Sequence, residues 1–100
     1  MAVTSKALAR TAAATTSATL YTVPSSTTTV ITNIAVANGA ATAGTFTILL
    51  DDIELQKDTA IGANTTIYID LKQVLATTKT IKGFASATTI DFHISGVEIA

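Results

Sequence analysis

The sequence predicts an all-β fold: an antiparallel β-sandwich of about seven strands, Ig-like or jelly-roll-like, with an extended N-terminal arm. Three observations lead there. Stretches rich in Val, Ile and Thr, which are stiff at χ1 and suit a pleated surface, alternate apolar and polar residues with period two. Turn residues recur at intervals of roughly 8–12 residues, the spacing of a sandwich. No stretch has a helical apolar period long enough for a βαβ crossover.

Residues 1–17 hold Ala, Thr and Ser, two cations (Lys6 and Arg10) and almost nothing large to bury. They are expected to form a flexible arm that orders only against a partner, the alternative being a solvated tail. The segment lacks the continuous apolar core of a signal peptide, so it is expected to belong to the mature chain. The sandwich domain is expected over residues 18–100. Its first strand, 20–23, precedes Pro24, the single proline, and Ser25-Ser26. A long β-branched strand over 27–37 stops at Asn38-Gly39. Along it Val30, Thr32, Ile34 and Val36 share a face assigned to the core. Ile31, Asn33, Ala35 and Ala37 share the other, which is small, nearly uncharged and expected to touch a partner.

After a small-residue loop, strand 45–50 points Phe46, Ile48 and Leu50 inward. Asp51-Asp52 then suits a tight hairpin into 53–55, because Asp tolerates positive φ better than most residues. A polar connection, 56–64, leads to strand 65–71, with Ile67, Ile69 and Leu71 inward. Residues 72–79 read as a crossover, and 80–85 as a strand in which Gly83 marks a bulge or a close approach. The last strand, 88–99, sets Ile90, Phe92 and Ile94 inward, and Gly96 is expected to kink it so that Val97 and Ile99 also pack inward. Leu20, Leu55 and Ile81 complete the expected core.

Composition narrows the function classes. The chain of 100 residues is long enough for one core, and its net charge of −1 argues against a nucleic-acid partner. No apolar run approaches the roughly 18 residues that would span a bilayer, so no membrane partner is expected. Absence of cysteine excludes disulfides, zinc–thiolate sites and thiol catalysis. Charged residues make up 13% of the chain, far fewer than a free monomer's surface usually carries. Such a surface fits a subunit covered by neighbours.

Chemistry-bearing clusters are sparse. His93 shares a strand face with Asp91 and Ser95, but residues two apart on a strand stand about 7 Å apart, too far for triad hydrogen bonds. Asp51, Asp52, Glu54 and Asp58 form an acidic cluster without the spaced ligands of a calcium loop, and a solvated hairpin accounts for it. Asn64-Thr65-Thr66 fits a glycosylation acceptor only in a secretory setting. No catalytic, cofactor-binding or metal-ligating residue is assigned, and an enzyme is not expected.

Three segments carry a likeness: LYTVPSSTTTVITNIAVAN from residue 20, TFTILLDDIELQKDTAIGANTTIYIDL from residue 45, and the closing TTIDFHISGVEIA. Together they resemble a class of small tailed-bacteriophage virion proteins, with the match running over residues 18–99. The resemblance implies a β-sandwich virion component without catalytic residues or cofactors, either a capsid decoration (cement) protein or a tail, baseplate or fibre module. The implied partner is the major capsid protein or another virion protein, and the implied location is the virion, the head surface foremost, after synthesis in the bacterial host cytoplasm. A homo-oligomer is expected, a trimer foremost, because three-fold positions abound on icosahedral shells. The interface candidates are Lys6 and Arg10 on the arm, Ile31, Ala35 and Ala37 on the small face, and Leu49 and Phe84 on the outer sides of their strands.

Overall fold

The computed structural model describes residues 2–100, which form eight strands and no helix. These are β1 (Val3–Ala12), β2 (Ala18–Thr22), β3 (Thr28–Asn38), β4 (Gly44–Leu50), β5 (Ile53–Ile61), β6 (Thr65–Leu75), β7 (Thr80–Ala85) and β8 (Ile90–Ile99). They build two four-stranded sheets with orders β1-β8-β3-β6 and β2-β7-β4-β5, every pairing antiparallel. The chain is one long antiparallel ribbon, β1·β8, β2·β7, β3·β6 and β4·β5, whose successive pairs drop alternately into one sheet and the other. That strand order is a jelly roll.

The closed end of the ribbon is the β4–β5 hairpin, where Asp51 and Asp52 take φ of 54° and 60°. Positive φ at both central residues matches the right-handed twist of the flanking strands. The open end is zipped by Ala2 and Ala100, which exchange both backbone hydrogen bonds at 2.8 and 2.9 Å.

Between the sheets lies one layer of side chains. Ile31, Ile34 and Val36 of β3, Phe46 and Ile48 of β4, Ile81 of β7, and Ile90, Phe92 and Ile94 of β8 have essentially no exposed surface. Phe46 and Phe92 meet edge-on across the sheets, centroids 6.3 Å apart at 71°, a favoured aromatic geometry. Buried polar groups are satisfied: Asn38 Nδ2 donates to the carbonyls of Thr42 and Gly62 while its Oδ1 accepts from Ala40 N. One side chain thus ends β3 and ties two loops together, which explains the stop at Asn38-Gly39.

Four expectations are corrected. The segment read as a flexible arm is edge strand β1 from residue 3 to 12, with Leu8 buried at a bulge and Ala13 buried beyond it. Its Ala-rich sequence has weak strand preference, and pairing with β8 supplies what propensity does not. Ile31, assigned to the outer face, is fully buried, whereas Val30, assigned to the core, is only half-buried. An extra residue, Thr32, bulges from β3 between the pairs Ile31↔Gly96 and Asn33↔Ser95, and one inserted residue inverts the alternation on one side of it. Gly96 does not kink β8: it is buried in unbroken alternation, so Val97 and Ile99 face outward, half-buried. Finally, β5 runs on to Ile61 and β6 to Leu75, taking in residues expected to be connections.

Candidate interaction surface

The outer face of the β1 sheet follows from the register. One row across it reads Ser5–Val97–Val30–Val74, and the row beyond it Val3–Ile99–Thr28. Val3 and Val74 are each 67% exposed. Five aliphatic side chains therefore lie together at the end of the sheet nearest the termini. The middle row, Ala7–Ser95–Asn33–Asp70, is polar, with Asn33 Nδ2 donating to Asp70 Oδ1 at 3.3 Å. Then come Arg10–His93–Ala35–Tyr68 and Ala12–Asp91–Ala37–Thr66. Ala35 and Ala37 stand on the face away from the core, as expected, in the two rows farthest from the termini. The single histidine also stands on this outer face, away from the core.

Leu49 and Phe84 lie half-buried on the outer face of the other sheet, Leu49 beside Lys82 and Phe84 beside Thr47. The seven candidates thus do not converge: Arg10, Ala35 and Ala37 share one face, Leu49 and Phe84 the opposite one, and Ile31 is inside. Lys6 turns to the inner side of the β1 edge, where its Nζ lies 3.4 Å from Glu98 Oε1.

That ion pair belongs to a network the sequence did not announce. Tyr21 Oη, on β2, donates to Glu98 Oε2 at 2.5 Å and shares a hydrogen bond with Thr29 Oγ1 at 2.8 Å. Strands β1, β2, β3 and β8 are thereby pinned together across both sheets. Burial, and next the Glu98 carboxylate, push the Tyr21 hydroxyl above its ordinary value. The Tyr21 hydrogen bond, aided by Lys6, holds Glu98 below the usual carboxylate range against a partial desolvation that works the other way. Only the long-range pairing of Glu98 with β1 and β3 brings these residues together; nothing local in the sequence signals it.

The acidic cluster is parted among lysines. Asp51 pairs with Lys79 at 3.5 Å, Asp52 with Lys82 at 2.7 Å and Glu54 with Lys57 at 3.8 Å. These are exposed pairs of small energetic weight. Among the described residues no group of three His, Cys, Asp or Glu side chains is placed to hold a metal ion. Beside the cluster, a cleft of 340 Å³ opens between β5 and β6, lined by Leu50, Ile53, Leu55, Val74 and Leu75.

No protein-family model and no curated protein sequence matches the chain. Among solved structures, it aligns over 89% of its length with 58% of a pentameric capsid protein isolated from metagenomic phage sequences, at 12% identity and a TM-score of 0.40. It aligns over 90% of its length with 20% of the Agl-KA catalytic domain, at 11% identity and the same TM-score. Likenesses this loose, one to a shell component and one to part of an enzyme domain, carry no functional argument.

Proposed function

We propose that this chain is a non-enzymatic structural protein of a bacteriophage virion, acting through its surface as a decoration protein that holds neighbouring capsid subunits together. The observation that carries the reading is the outer face of the β1 sheet. Val3, Val30, Val74, Val97 and Ile99 present apolar atoms together at one end of it, and Ala35 and Ala37 add small side chains beyond the polar middle row. A contiguous apolar patch on a small domain marks a contact surface. The jelly roll and the resemblance of residues 18–99 to small phage virion proteins agree with it. Its partners are the major capsid protein and further copies of itself, a trimer being the favoured state. Quantifying the chain in purified virions tests the reading. Hundreds of copies per particle, retained on heads without tails, are expected. A handful of copies found only on tails would replace decoration with a tail or fibre role, and absence from virions would end the proposal.

A further inference from the structure

We propose that copies of this chain associate head to tail by adding edge strand β1 of one molecule to edge strand β6 of the next, with Arg10 set against Tyr68. The inference rests on the self-association proposed above and not on the virion location.

Strand direction permits the joint. The sheet β1-β8-β3-β6 is antiparallel throughout and has an even number of strands, so its two edges run in opposite directions. A neighbour placed side by side in the same orientation brings its β1 antiparallel to β6, and the alternation continues across the boundary.

The hydrogen-bond pattern selects the register. Ala13 N donates to Ile90 O, so on β1 residues 11 and 9 also bond to β8, while the N–H and C=O of Arg10 and Ala12 point to the open edge. Gly39 N donates to Thr89 O, so Ala37 and Ala35 bond to β8, and Asn38, Val36 and Ile34 bond to β6 through Thr65, Ile67 and Ile69. That leaves the backbone groups of Thr66, Tyr68 and Asp70 free on the far edge of β6. Tyr68 opposite Arg10 is therefore a pair in which both residues have free donors and acceptors, and in Thr66 opposite Ala12 both N–H groups are free, the Ala12 carbonyl also accepting from Thr11 Oγ1 at 3.2 Å. All four side chains also point to the same outer face.

Side-chain chemistry favours this partner over others. Tyr68 is 71% exposed, and its ring is a platform for the Arg10 guanidinium. Asp70, whose partner in the chain is the neutral Asn33 amide, stands diagonal to Arg10 in the same register. Charge on an edge strand ordinarily blunts pairing, and here it blunts the symmetric alternative. Two β1 strands paired about Arg10, whose backbone groups face the open edge, would set the two guanidinium groups directly against each other. The β6 edge offers an aromatic ring and a carboxylate instead.

The chain has no cysteine, so introduced thiols report the contact cleanly. Residues facing each other as a hydrogen-bonded antiparallel pair have Cα atoms about 5.5 Å apart, within disulfide reach. Mix Tyr68→Cys chains with Arg10→Cys chains, oxidise, and map the disulfides. Mixed dimers forming at least about tenfold faster than either homodimer are expected. Homodimers forming as fast as mixed dimers would overturn the head-to-tail geometry. So would sedimentation of the unmodified chain as a pure monomer up to its solubility limit. Ala12→Pro supplies a second readout, because the N–H it removes is free in the monomer. Self-association should be lost with the thermal transition kept, and association persisting in folded Ala12→Pro would overturn the strand-addition contact.

Discussion

Gly96→Ala is the sharpest test of how β1, β3 and β8 fit together. Gly96 is buried, opposite Lys6 on one side and Ile31 on the other. A Cβ there would press on the Val30 carbonyl oxygen closer than real Cβ atoms come. It would also lie 2.9 Å from Leu8 Cδ1 and 3.2 Å from Ile31 Cα. Leu8 can swing aside, at the cost of the main apolar anchor of β1. The other two atoms are β3 backbone beside the Thr32 bulge and can withdraw only by loosening the β3–β8 ladder. Overpacking of this kind costs typically 1–3 kcal/mol and more where backbone must move, while Ala recovers about 0.4–1 kcal/mol by restricting the unfolded chain. A net loss of about 2–3 kcal/mol is expected, which for a domain of this size lowers Tm by about 10–20 °C. Gly39→Ala is the control, since its new Cβ meets nothing nearer than Thr89 O at 3.9 Å and its φ is not positive. Thermal and urea unfolding of both variants, followed by far-UV circular dichroism, decide the matter. A Gly96→Ala protein melting within about 2 °C of the parent, or a Gly39→Ala protein equally weakened, would refute the packing described.

Other perturbations separate the remaining features. Ile31→Ala should cost about 2–5 kcal/mol and Val30→Ala less than about 1 kcal/mol, measured by urea titration; the reverse order would place the β3 bulge elsewhere. Deleting residues 1–12 should bare the β8 edge and the core beneath Leu8, lowering Tm sharply, whereas a flexible arm could be removed without effect. Because Glu98 is held below its ordinary value, its contribution is present above the unfolded carboxylate range and is lost as pH falls through the folded value. Glu98→Gln should therefore flatten the acid limb of a Tm-against-pH profile, and an unchanged limb would remove Glu98 from the linkage. Tyr21, held above its ordinary value, stabilises through neutral pH and loses its contribution only in strong alkali. Tyr21→Phe should lower Tm at neutral pH by roughly 4–8 °C, the equivalent of about 1 kcal/mol, and an unaltered Tm would deny the network weight.

The sequence by itself determined the all-β class, the antiparallel sandwich and most of its core. Period-two alternation in Phe46–Ile48–Leu50 and Ile90–Phe92–Ile94 is a local property, and burial of one face leaves it no other reading. The Asp51-Asp52 hairpin and the stop at Asn38-Gly39 were equally legible, since turn chemistry acts over two or three residues. Tertiary structure alone decided the rest. Alternation says which residues share a face until an extra residue interrupts it, and a bulge is defined only against a partner strand; Thr32 thus inverted Val30 and Ile31 unseen. Residues 3–12 become a strand because β8 offers them an edge, not because Ala, Ser and Lys prefer one. The Tyr21–Glu98–Lys6 network joins positions up to 92 apart in sequence, and which sheet edges lie open to a neighbour follows from strand order. Both are consequences of how the ribbon folds over, a long-range choice that no window of the sequence contains.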